Sequence, residues 1–471
     1  GNSIQSGGNF NTVVGDEAGT AITTGDSSTL VGFSAGAALT TGINNVLVGA
    51  LSGDVLTDAD YNVAVGHQSL TSDTKGGSAV AVGYAALFSQ NFTTSTDNYN
   101  TGVGYNAGGA VTTGIRNTLM GGLTGDALTD ADNNVAIGGE SLTLDTLGSK
   151  TTAIGAFALG TQNFTTATDS HNTAVGYAAG FATTTGTFNT LMGSLAGDAI
   201  NTGINNTGIG WNSLGALTQG TRNTAIGYAS LDADTLGSKS TALGYSSLGV
   251  QNFTTATDSF NVAVGHEAGA AVTTGTSNTL IGGLAGDNIT SGSGNIIIGD
   301  SNGQSSVVNH QIIIGNQLSA IGQDNFTFGR STLDSNIAFG ATSITAPSDE
   351  RYKEDITDAT AGLAFIKDLR PVTFKWRKEK DVPSDHASYV EGSDKRVMND
   401  HTNHGFIAQE VKATIDAHSE IKDGFDMWSE QGSGGRQRLG PSSLIPMLTK
   451  AIQELSAKND ALEARIATLE G

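Results

Sequence analysis

The chain has 471 residues, 37% of them hydrophobic, with 65 glycines, no cysteine and a formal net charge of −22. Disulfides and thiolate metal sites are excluded, and acidity this strong argues against nucleic acid, whose phosphates need clustered Lys and Arg. No apolar run reaches the ~20 residues of a membrane-spanning helix, no signal peptide opens the chain, and Gly1 in place of Met suggests a fragment lacking an N-terminal attachment region.

Charge and glycine are unevenly spread. Residues 1–347 hold 6 Lys+Arg against 23 Asp+Glu, net −17, and residues 348–471 hold 17 against 22, net −5, which accounts for the −22. Glycine divides 56 to 9 across the same point. So much glycine with so little apolar content cannot fill a conventional core, but stacked repeats bury a continuous one. The two regimes meet at Ser348-Asp349-Glu350-Arg351-Tyr352-Lys353, which reads as a processing site.

The repeat is Asn-(Thr/Val)-x-aliphatic-Gly, as in Asn62-Val63-Ala64-Val65-Gly66 and Asn172-Thr173-Ala174-Val175-Gly176. Its anchor glycines fall 17 residues apart from Gly15 to Gly299, except for three gaps of 21, with a last gap of 16 to Gly315. Each long gap carries one insertion, beginning at Gln90-Asn91-Phe92, Gln162-Asn163-Phe164 and Gln251-Asn252-Phe253. Seventeen residues are too few for a helical hairpin, and β-branched residues bounded by Gly, Asn and Thr predict one or two short strands per coil. Eighteen rungs at about 4.8 Å make a rod of roughly 80 Å. An aliphatic residue precedes every anchor glycine and is expected to be core. The residue before it, mostly Ala, Gly or Leu, is expected to pack against a neighbour on the opposite face. A strand apolar on both faces needs cover on both. A homo-oligomer about a close symmetry axis follows.

Asp54, Asp126, Asp198 and Asp287 occupy equivalent places, and turn capping is preferred to calcium binding because the Gly-Gly-x-Gly-x-Asp pattern is absent. No metal ligand set or cofactor is expected. Tyr84, Tyr105, Tyr177, Tyr228, Tyr245 and Trp211 follow anchor glycines and read as rung-edge packing, with sugar stacking as the alternative. His67 and His266 read as structural. The insertions form a ridge of equivalent loops, either roll corners or a receptor contact made by Asn91, Phe92, Asn163, Phe164, Asn252 and Phe253. Beyond residue 298 the glycines at 299, 315, 329 and 340 draw closer, which predicts a tapering neck over 299–347.

The remainder reads as a small α+β domain over 348–440 and a coiled-coil helix over 441–471. A short helix near Ala361–Ile366 precedes a strand at Val372–Trp376, and His404–Val411 is expected to form the start of a second helix. Leu448, Ile452, Leu455, Asn459, Leu462, Ile466 and Leu469 alternate steps of four and three, with Asn459 fixing register. Ile at a and Leu at d favours two strands, but so short a tail follows the oligomer of the rod.

The Asn-x-Ala-(Val/Ile)-Gly rungs resemble the β-roll heads of trimeric autotransporter adhesins and similar rolls in phage fibres, with a longer period. The motifs Ser348-Asp349-x-Arg351-x-Lys353, Leu369-Arg370-Pro371-Val372 and His404-x-Phe406-Ile407-Ala408-Gln409-Glu410, with the terminal heptads, resemble the intramolecular chaperone of phage endosialidases and tail fibres. That resemblance implies a mainly β, homotrimeric fibre whose C-terminal chaperone assembles it and then cuts itself off at Pro347–Ser348. Ser348 would be the nucleophile and Lys353 its base, with Asp349, Arg351, His404 and Gln409 as support. A serine hydroxyl needs such a base, and burial can make lysine one. Five residues apart, the two must meet through a turn or across subunits. The expected function is host attachment by a tail fibre of the virion, assembled in the host cytoplasm, with a surface glycan or protein receptor and other tail proteins as partners. No external substrate, nucleic acid or membrane insertion is expected. A bacterial surface adhesin and a glycan-degrading tailspike are the alternatives; the first needs a membrane anchor and the second a paired-carboxylate cleft.

Overall fold

The computed structural model describes residues 7–300, 307–318, 322–341, 344–345, 348, 350–384, 388–422, 425, 427–430 and 437–470. The chain divides into two compact units, Gly1–Pro347 and Ser348–Gly471.

The first unit is a parallel β-solenoid of about 18 turns of about 17 residues. From Thr12 to Ile298 each turn contributes one three-residue strand to the main ladder, paired in register with the next: Val63↔Val80, Ala64↔Ala81 and Val65↔Val82. Two side-chain features hold that register. The anchor glycines hold φ between +126° and +156°. A Cβ on Gly49 would stand 2.3 Å from the Gly66 carbonyl oxygen, so no other residue fits this close approach between rungs. The asparagine four residues earlier points inward and forms a ladder. Asn206 Oδ1 accepts from Asn223 N–H at 3.0 Å, while its Nδ2 donates to Gly220 O at 2.9 Å. Buried backbone groups are thereby satisfied without a second strand in the turn.

The interior is filled by matched volumes. Where the strand centre is leucine, as at Leu30 and Leu47, the turn six residues later holds Gly36 or Gly53; a Cβ on Gly36 would come within 2.9 Å of Leu47. Where the strand centre is Ala64 or Ala81, the turn supplies Leu70 or Leu87, all fully buried. Each buried leucine contributes about 2 kcal/mol, an upper bound. This corrects the expected orientation of the strand. The small or leucine residue is the core residue, and the aliphatic residue before each glycine points outward, as Met120, Met192, Ile281 and Ile314 do at 38–42% exposure. The coil is too thin to take bulk from both strand and turn, so the aliphatic column is left outside.

The insertions begin where the asparagine ladder is interrupted by Ala79, Thr151 and Ser240. At the first, Gln90 enters the core, its Oε1 accepting from Asn100 Nδ2 at 2.9 Å and its Nε2 donating to Asp73 Oδ2 at 2.6 Å. Asp73 Oδ1 also accepts from Gly76 and Phe92 N–H. Gln162 with Asp145 and Gln251 with Asp234 repeat the bonds. Among the described residues, a second, two-residue strand pair, such as Gly76–Gly77 with Thr96–Asp97, is found only at these insertions.

The solenoid does not taper through four shortening rungs. Its strands lengthen to six residues at Gln311–Asn316 and Asn325–Arg330, and then Leu333–Ala338 returns antiparallel. Gly340 is no anchor, since nothing lies within 4 Å of its Cβ position. The hairpin covers the last parallel edge, which would otherwise offer unpaired backbone groups.

The second unit packs α1 (Leu363–Asp368), α2 (Ala408–Ala417) and the start of α3 (Leu444–Glu470) around Phe365, Val411, Ile415, Met427 and Leu444. Strand Val372–Phe374 pairs antiparallel with Asn403–Gly405. His404 therefore lies in a strand, and helix α2 begins after it, a correction to the expected start. Glu454 of α3 accepts from Leu363 N–H at 2.9 Å and caps α1. Among the described residues no helix is long and apolar enough to cross a membrane.

Candidate active site

Ser348 opens the second unit, and Glu350–Tyr352 forms a single 3-10 turn immediately after it. The turn is closed by Lys353 N–H donating to Glu350 O at 3.0 Å. It folds the chain back far enough for Lys353 Nζ to donate to Ser348 Oγ at 2.8 Å. An α-helix would have placed residues five apart on different faces. The bond places an amine within hydrogen-bond reach of a serine hydroxyl, with the lysine as donor. Both side chains are exposed in the single chain.

Pro347 and Asp349 lie outside the described residues. Arg351 sits exposed on the 3-10 turn. His404 is an exposed strand residue opposite Thr373, and Gln409 is exposed on the first turn of α2. Among the described residues, no hydrogen bond or ion pair joins either of them to Ser348 or Lys353.

The motif residues that do meet are ones the sequence reading gave no role. Arg370 Nε donates to Glu410 Oε2 at 2.9 Å, and its Nη2 reaches Glu410 Oε1 in a two-point clasp between the α1–strand turn and α2. The bond holds the Arg370 guanidinium above its ordinary range and Glu410 below the usual carboxylate range. His418, 12% exposed at the end of α2, bridges Glu420 and Asp368 at 3.0 Å each and stands edge-on to Phe365. Its hydrogen bonds to Glu420 and then Asp368 raise its pKa. The visible signals were the acid one residue after Gln409 and the histidine placed to meet the end of α1.

Residues 348–419 match the chaperone of endosialidase family. The match begins at the serine held by Lys353 and ends beside His418, so it takes in the turn, the clasp and the His418–Asp368 half of the bridge, with Glu420 just beyond it. The family supports an autoproteolytic chaperone domain, and such a domain behind a β-solenoid fits a phage tail fibre or tailspike. No curated protein and no solved structure matches the chain.

On the solenoid, the insertion loops are corrected in part. Phe92, Phe164 and Phe253 are only 6–7% exposed, because each rests in the roll beneath its aspartate-held turn. They cannot touch a receptor. Asn91, Asn163 and Asn252 remain at the surface, accepting from Thr74, Thr146 and Thr235. Two of the four equivalent aspartates bond between rungs: Thr71 Oγ1 donates to Asp54, and Thr143 Oγ1 to Asp126 at 2.6 Å. The aromatic row stacks on itself, with Trp211, Tyr228, Tyr245 and His266 spaced 4.7–5.2 Å apart at 8–19° between planes. His67, Tyr84 and Tyr105 do the same. The inner ring faces are occupied by neighbouring rings, leaving edges to solvent.

Proposed function

We propose that this chain is a homotrimeric phage tail fibre that contacts the host cell surface through its solenoid. Its chaperone unit assembles the trimer and then severs the chain at Pro347–Ser348. The observation that carries the reading is the Lys353–Ser348 bond at the first residue of the chaperone match.

The chemistry is an intramolecular acyl shift. Ser348 Oγ attacks the Pro347 carbonyl carbon as Lys353 takes the hydroxyl proton. The C–N bond to Ser348 breaks, and the proton passes to the departing amine. Water then cleaves the resulting ester, leaving a carboxylate on Pro347 and restoring the Ser348 hydroxyl. Proline fixes its own φ but leaves its carbonyl an ordinary electrophile. Lysine serves as a base when desolvated, and a neighbouring protomer closing over this exposed pair would desolvate it. Cutting would then wait for assembly.

Two uncovered apolar faces support the trimer. One is the outward aliphatic column of the solenoid strands. The other is the stripe of Ile452, Leu455, Leu462, Ile466 and Leu469 on α3, 52–83% exposed. The virion tail is the corresponding location.

Intact mass tests the cleavage. Wild-type protein should resolve into two pieces, whereas Ser348→Ala should stay at the full 47.8 kDa while remaining trimeric. Lys353→Ala should cut far more slowly, with the residual rate rising at high pH. A wild-type trimer that stays full length through prolonged incubation overturns the proposal.

A further inference from the structure

A solenoid repeats its surface as well as its core, so a place where unlike residues converge is informative. One such place lies on the rungs anchored by Gly155, Gly176 and Gly193. Ala178 is its floor, 8% exposed. Phe157 and Leu195 stand at the equivalent position on the rungs before and after, and Tyr177, Phe181 and Asp198 complete the wall of a recess of about 270 Å³. Phenylalanine occupies that column only at 157. The counterpart alanines, Ala85 and Ala229, are flanked by Gln68 and Asn106 and by Asn212 and Ser246, so neither has apolar walls.

Asp54 and Asp126 are each capped by a threonine 17 residues on, but Asp198 has Gly215 there; Asp232, which likewise meets a glycine at 249, is instead hydrogen-bonded to Asn212. The Asp198 carboxylate leans only on N–H groups of its own turn, and burial pushes its pKa up. The rings are not stacked like the tyrosine rows. Phe157 stands edge-on to Tyr177 at 87° and to Phe181 at 81°, with centroids 5.9 and 6.4 Å apart. Tyr177 and Phe181, 56% and 41% exposed, still leave apolar ring surface open beside one acceptor.

We propose that this recess binds one pyranose residue of an uncharged cell-surface glycan. The C–H face of the sugar lies on the aromatic wall, and vicinal hydroxyls donate to Asp198 in place of the missing threonine. The volume admits a single ring, and the open side lets the rest of the polysaccharide continue along the solenoid. Charge sets the class: at net −17, residues 1–347 repel sialylated or phosphorylated chains. The proposal rests on the reading of the solenoid as the host-contacting part.

The test is binding of the full-length protein to an array of neutral, amine-bearing and anionic oligosaccharides, repeated with variants that use only residues the repeat already accepts. Ala178→Leu fills the recess with the residue found in that column at 51, 123 and 284, and Asp198→Thr inserts the residue found at 71 and 143. Each should weaken binding to neutral glycans about tenfold or more, while Ala229→Leu changes nothing. Selective binding of anionic or cationic probes, no glycan binding, or binding unchanged by both variants overturns the recess. Host adsorption measured in parallel separates the two readings, since adsorption that persists without recess binding leaves the host-contact function standing.

Discussion

Asn206 carries two bonds that no other residue type supplies together at this place: it accepts from the next rung and donates to a carbonyl 14 residues on. Asn206→Ala strands a buried N–H and a buried carbonyl, at a cost of roughly 2–5 kcal/mol. Thermal unfolding of the whole chain should show the loss, with hydrogen exchange fastest in the two adjoining rungs. Glycine makes the complementary prediction. Gly49→Ala needs a Cβ 2.3 Å from the Gly66 carbonyl at φ +140° and should cost above about 3 kcal/mol. Gly122→Ala, with nothing within 4 Å, should stay within about 0.5 kcal/mol of wild type. Equal effects from the two glycine variants would mean that rung contact does not set the glycine period.

Among the elements, α1 and α2 are tied by the His418 bridge, which makes the chaperone unit pH-sensitive. The folded-state pKa lies above the ordinary 6.5, raised by Glu420 and then Asp368. The charged bridge is therefore at full strength below pH 6.5 and is lost as pH rises through the folded value. Because Asp368 is 63% exposed, the effect is small, about 0.5–1 kcal/mol. A melting curve of the unit that falls across that window in wild type and is flat in His418→Gln is the expected result. Helix α3 divides by burial. Leu444 and Ala451 are buried and Glu454 caps α1, whereas residues 456–470 are all exposed. Deleting residues 456–471 should leave the fold of the chaperone unit intact by circular dichroism and reduce trimer assembly.

At the scale of the whole molecule, the outward aliphatic columns need a partner. Val65→Lys with Val82→Lys, both on adjacent rungs and half-buried in the single chain, should preserve the solenoid, whose core they do not enter, and dissociate the trimer in sedimentation. A trimer unchanged by both charges would place the interface on another face. In the proposed trimer, chains that had lost their chaperone would have no guided way back, so stability should be kinetic. Heated and slowly cooled fragments that regain native trimers would contradict this.

The sequence by itself determined the period, the parallel solenoid and the chaperone motifs, because each depends on spacing along the chain. A 17-residue glycine repeat fixes in-register stacking however the coil is drawn. Which face of Val63-Ala64-Val65 is inside was not legible. Both faces are apolar, and only packing against Leu70 shows that the alanine must be the core residue. The insertions were visible as arithmetic, yet the burial of Phe92 depends on Asp73 reaching it across 19 residues. Gly340 matched the motif and failed as an anchor because the chain reverses at Ser331, a turn that spacing cannot reveal. At the candidate site, Ser348 and Lys353 could be named from sequence. That they touch through a 3-10 turn within one chain was decided by the fold, since five residues of separation are equally compatible with a turn and with a site shared between subunits.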